Sequence, residues 1–254
     1  MVERLQVPAG SMIVSAARHL ASRQVSLADL QVLSRYESRS IVAANVDRHV
    51  ELGFLERVAE DLFVPSPAFR EGAILVLDLQ AQSARELWSD KQDLVVELAG
   101  LAAHLVQRAV ADRPVATPAF DGQVTRHSVV PRAHFGQLLG YITELRYLRS
   151  DLHAAALLVH DLAGPRARAL HRLWRGVAIS DADGERLEGR GLAQRSDEQW
   201  VITARGSNAC DEAERDTNKL TDDAFSHVDA ADLERFHAGL AALPGEDPRP
   251  VEDR

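Results

Sequence analysis

Four cationic or titratable residues recur near the middle of the chain: Arg146, Arg149, His153 and His160, spaced by three, four and seven. Such spacings place side chains on one face of an α-helix. Arginine offers a planar fork that fits a carboxylate, and histidine donates or titrates near neutral pH. Arg146, Arg149 and His153 therefore form a candidate ligand-binding set for a small anionic or aromatic molecule, such as an aromatic carboxylate or phenolate, held between two halves of the chain. The same stripe also reads as a solvated helix face, with Glu144 and Asp151 balancing part of its charge.

A second set suits nucleic acid. Arg39, Ser40, Asn45, Arg48 and His49 cluster on a stretch that reads as a helix over about 40–52. They supply donors and acceptors for phosphates and base edges. A matching stretch at 180–190 carries Asp181, Asp183, Glu185 and Glu188 against Arg186 and Arg190, which makes it a poor reader of DNA.

Other chemistries find little support. The ten histidines are scattered, and the single cysteine, Cys210, leaves no disulfide or cysteine-based zinc site. There is no nucleophile elbow, phosphate-binding P-loop or dinucleotide fingerprint. No metal, no cofactor and no catalytic residue is expected, and the chain reads as a non-enzyme. The net charge of -9 weighs against a broadly basic nucleic-acid binder, although a groove reader needs only a locally basic face. No apolar run is expected to span a bilayer, and no export signal core follows the first charges, so a cytoplasmic protein without a membrane partner is expected.

The elements that must position these residues repeat. Residues 41–64 align without gaps on 179–202, at a constant offset that sets Ile41 on Ile179, Arg48 on Arg186, Gly53 on Gly191 and Arg57 on Arg195. Leu62, Phe63 and Val64 fall on Trp200, Val201 and Ile202, and Tyr36 falls on Trp174. Each copy reads as a short helix (26–37 or 164–175), a second helix, a turn glycine, an apolar residue, and two strands around a polar tip. Helices flank both copies over 71–111, divided near Ser89-Asp90, and over 207–243, broken near His227 to Asp229. Residues 132–162 form the longest periodic helix, with Phe135, Leu138, Leu139, Ile142, Leu145, Leu148, Leu152, Ala155 and Val159 recurring at three and four. The expected organisation is an N-terminal unit over 1–112, a proline-bearing linker over 113–131, a C-terminal unit over 132–243 and a disordered tail over 244–254. The fold class is mainly α: two tandem winged-helix units joined by long helices about a pseudo-two-fold.

The run DGERLEGRGLAQRSDEQWVITARG resembles the second helix and wing of MarR-type winged helix-turn-helix regulators, including the Thr-x-x-Gly helix start at Thr203 to Gly206. The resemblance implies a DNA-binding transcriptional regulator, with double-stranded DNA as partner and possible response to a ligand. Family members dimerise, so a fused duplicate implies a pseudo-dimeric monomer or a homodimer. The wing tips depart from the pattern. They carry Glu60, Asp61, Asp197 and Glu198, while Arg57 and Arg195 lie nearer the strands. Two other functions fit the same scaffold: a winged helix that has lost DNA binding and holds or acts on a small anionic molecule between its halves, and a protein–protein adaptor.

Overall fold

The computed structural model describes residues 24–127 and 134–244. The tail expected to be disordered lies, from residue 245 on, outside the described residues. The first unit runs β1 (Val25–Ser26), α1 (Leu27–Leu33), α2 (Arg39–Glu51), β2 (Leu55–Ala59) and β3 (Leu62–Pro65). The second repeats that order without the leading strand: α7 (Gly164–Trp174), α8 (Asp181–Glu188), β4 (Ala193–Ser196) and β5 (Gln199–Ile202). Between them lie α3 (Pro67–Leu87), α4 (Gln92–Asp112), α5 (Pro118–His127) and α6 (His134–Val159). After them come α9 (Ala204–Ala224) and α10 (Ala230–Ala242).

Local chemistry explains the boundaries. The Ser38 and Ser180 hydroxyls cap α2 and α8 by accepting the N–H groups of Ile41 and Asp183. Both helices end in the same hydrogen-bonded motif. Phe54 N–H donates to His49 O at 2.9 Å, and Leu192 N–H donates to Leu187 O at 3.0 Å. The intervening glycines, Gly53 and Gly191, take φ of 73° and 70°, a left-handed conformation that side chains disfavour. The Thr-x-x-Gly start of α9 also has a physical reason. Thr203 Oγ1 accepts the Gly206 N–H at 3.0 Å, and a Cβ on Gly206 would sit 2.2 Å from Leu192 O.

The first unit pairs β1–β3–β2 in an antiparallel sheet, with Val25 opposite Phe63; the second has only β4 and β5. Strand β1 was not expected from the sequence, because two residues show no alternation. The first unit closes over Val25, Leu30, Val42, Val46, Leu55 and Phe63. The second closes over Leu162, Leu170, Leu173, Leu187 and Leu192.

Helix α6 is the axis of the molecule, packed against α3, α4, α5 and α9. Its stripe buries Phe135, Leu138, Leu148 and Leu152 as expected, whereas Val159 at its end is 77% exposed. Among its described residues, the segment expected to be a linker carries helix α5, whose Ala119, Phe120 and Gln123 are fully buried. The prolines misled, because Pro118 stands at the first position of α5, where its missing N–H costs nothing. The expectation that no run could span a bilayer also needs correcting. Ser89–Asp112, 24 residues long and containing an 18-residue window of mean hydropathy 1.4, is long and apolar enough by composition. In the fold, Val95, Leu98, Ala102, Leu105 and Val106 of this stretch are buried in the helical core, and Leu98 meets Gly239 of α10 so closely that a Cβ there would lie 2.6 Å away.

Candidate functional site

The residues proposed for DNA occupy one helix but not one face. Arg39, Ser40 and Arg48 are exposed on α2, and Asn45 is partly buried. His49 turns inward, 4% exposed, with Nδ1 against the Asn45 carbonyl and its ring 6.0 Å from that of Phe54. Burial, the largest cause, lowers its pKa from the ordinary imidazole value despite that hydrogen bond. His49 therefore drops out of the reading set: it is a core residue that closes the end of α2. Arg39 lies 3.9 Å from Asp61 at the turn of the hairpin, an exposed pair that costs little to open.

The two hairpins treat their arginines alike. Arg57 pairs with Asp47 of α2, and its guanidinium lies 4.7 Å over the Phe63 ring. Arg195 pairs with Asp181 of α8 at 3.2 Å and lies 5.5 Å over Trp200. Trp200 Nε1–H also donates to Asp181 at 2.8 Å. Each arginine is thus folded back onto its own unit. The starts of α2 and α8 share a groove of about 400 Å³, lined by Ser38 and Ile41 on one side and Ser180, Asp183 and Arg186 on the other. Two helices that meet at one groove cannot both enter major-groove segments a helical turn, about 34 Å, apart.

The cationic stripe on α6 finds its counter-charges within the chain. Arg149 donates to Glu214 of α9 at 2.9 Å, and His160 Nε2 lies 2.8 Å from Asp216 and its Nδ1 3.6 Å from Glu212. Arg146 is exposed. No bound anion is needed to balance this seam, because Arg149 and His153 meet on the Glu214 carboxylate, 2.9 and 3.7 Å away. Of the three proposed ligand residues, only His153 lines a cavity, of about 420 Å³, between α6, α7, α9 and the loop carrying Tyr36 and Glu37. The acidic run Asp211, Glu212, Glu214 and Asp216 was the legible signal for this pairing.

Asp151, which the helix periodicity puts on a solvated face, is buried at the join of the two units. It receives Arg35 in a close ion pair and the N–H groups of Ala119 and Phe120 at 3.0 and 2.9 Å. Arg35 Nη1 also donates to Ser150 O at 3.2 Å. Burial, the largest influence, raises the Asp151 pKa, and Arg35 and the N–H donors oppose it. Arg168 of α7 pairs with Glu37, and Tyr36 packs against the second unit's core. The loop from Arg35 to Glu37 therefore docks the first unit onto the second. Nothing in the sequence pattern marked it, since both partners of each pair lie more than a hundred residues apart.

Comparison with protein families matches residues 75–245 to a helix-turn-helix family. The chain belongs to this helix-turn-helix family. The match takes in the second helix–helix–hairpin unit and the long helices, and it begins beyond the first unit. It points to a DNA-binding regulator in general terms. No curated protein and no solved structure matches the chain.

Proposed function

We propose that this helix-turn-helix protein is a cytoplasmic transcriptional regulator of MarR-like type, built from two winged-helix units by internal duplication, in which the first unit reads duplex DNA. The observation that carries the reading is the contrast between α2 and α8. Helix α2 starts at a serine cap and presents Arg39, Ser40, Ile41 and Arg48 outward. A cap of this kind leaves backbone N–H groups ready for a phosphate, the arginines suit phosphates or guanine, and an exposed Ile41 suits a thymine methyl. Helix α8 presents Asp181, Glu185 and Glu188 beside one arginine, and phosphates repel that face. The capped Thr203 start of α9 and the left-handed Gly191 support the MarR-like reading, since they place helix and wing as the resemblance implies.

The test is binding to mixed-sequence duplex over a salt series. A regulator's affinity falls linearly in log–log form as salt rises, with a slope set by the phosphates contacted. Absence of binding at low salt removes this reading. It leaves the second one, a winged-helix scaffold that has lost DNA binding, which the acidic hairpin tips and the paired Arg57 and Arg195 favour.

A further inference from the structure

The cavity lined by His153 combines apolar walls with a polar edge that includes Tyr36, Arg172 and Trp174. Leu157, Leu162, Leu170, Ala167 and Ala213 supply the apolar walls. Its volume, about 420 Å³, lies within the range of small-molecule sites. The charged groups at its edge already have partners: Glu214 has Arg149, Glu37 has Arg168, and Arg172 donates to the Ala178 carbonyl at 2.9 Å. Cys210 lies in the wall, but burial pushes its thiol up to about 11, so at neutral pH it packs as a small uncharged group.

The tautomer of His153 follows from its neighbours. Thr217 Oγ1 donates its one proton to the Ala213 carbonyl at 2.6 Å. The same oxygen lies 2.9 Å from His153 Nδ1, so it must accept there, and Nδ1 carries the hydrogen. Nε2 then carries a lone pair, and among the described residues it has no hydrogen-bond partner. Burial, the largest cause, lowers the pKa of His153 and also that of His171, whose ring stands edge-on at 6.5 Å, so both rings are uncharged at neutral pH.

We propose that this cavity binds a small, uncharged, planar molecule that donates an N–H or O–H to His153 Nε2. An anion is disfavoured there, because it would meet a lone pair and the Glu214 carboxylate, while the lining Arg168 and Arg172 are already held by Glu37 and the Ala178 carbonyl. The ligand would also touch Tyr36 and Glu37, which immediately precede the Ser38 cap of α2. The site does not depend on the DNA-binding reading, and its test uses the full chain without DNA.

Calorimetric titration with three probes of one ring system isolates each feature. Indole has the ring and the donor, 1-methylindole lacks the donor, and indole-3-carboxylate adds a charge. Indole should bind saturably at pH 7.5, with each of the other two at least tenfold weaker. His153→Phe should weaken indole at least tenfold, while His104→Phe, at an exposed histidine outside the cavity lining, should change it less than threefold. Should His153→Phe fail to fold, the ranking of the three probes on the unaltered chain decides. Equal binding of indole and 1-methylindole, tightest binding of the carboxylate, or no binding of indole up to its solubility would each overturn the proposal.

Discussion

At the position where α2 carries Val46, α8 carries Gly184, and where β3 carries Leu62, β5 carries Trp200. Val46 is buried in its own unit, whereas a Cβ on Gly184 would meet the Trp200 ring at 2.1 Å. The same space between helix and hairpin is filled from the helix in the first unit and from the hairpin in the second. Trp200 lies down on α8 and holds Asp181, which also holds Arg195. In the second unit Asp181 is engaged by its own hairpin and the exposed helix face is acidic, whereas the first unit keeps Arg39, Ser40 and Arg48 outward. Equivalent elements thus fill one gap with different side chains.

The largest expected effect comes from separating the two units rather than altering either. Asp151→Ala leaves Arg35 largely enclosed without its carboxylate and strips the N–H groups of Ala119 and Phe120 of their acceptor. Breaking a buried pair from one side costs about 3–5 kcal/mol, read as a lower urea midpoint. A loss under about 1 kcal/mol would mean that the docking loop is not what joins the units.

The exchange at the helix–hairpin gap comes next. Gly184→Val drives a side chain into Trp200 and should lower stability by about 1–3 kcal/mol, the usual cost of overpacking. Adding Trp200→Leu, to copy the first unit's pairing, should recover most of that loss. Additive losses in the double variant would refute the compensation. Protonation should have a smaller effect. Burial depresses His49 in the first unit and His153 and His171 in the second. As pH falls past the ordinary imidazole value of about 6.5, the unfolded chain takes up these protons before the folded one. Stability should therefore be full above that value and decline as pH falls below it, and His49→Phe should flatten only the first unit's share. A urea midpoint that rises on acidification would contradict the sign.

Much of this comparison was legible in the sequence. The turn glycines, the threonine start of α9, the break at Ser89 and the offset between the aligned stretches are local signals, and local hydrogen bonds produced the elements they predicted. The cationic stripe on α6 was also visible, but its meaning was not. Periodicity shows that Arg149 and His153 share a face; it cannot show that Glu214 and Thr217 of α9 cover that face. His49 was misplaced for a similar reason, because a polar residue near the end of α2 looks exposed until Phe54 folds under it. The docking loop of Arg35, Tyr36 and Glu37 left no local trace, since its partners are contributed by the other unit.

The claim that the two units differ in DNA reading is tested most directly by duplex binding of Arg48→Ala beside Arg186→Ala, the same position in the two copies. Fluorescence anisotropy on a labelled duplex at low salt should show Arg48→Ala weakening binding at least about fivefold, the lower end of the roughly 1–3 kcal/mol that such a contact carries. Arg186→Ala, paired with Asp183 on an acidic helix, should change it less than about twofold. Equal losses in the two variants, or a larger loss from Arg186→Ala, would contradict the account.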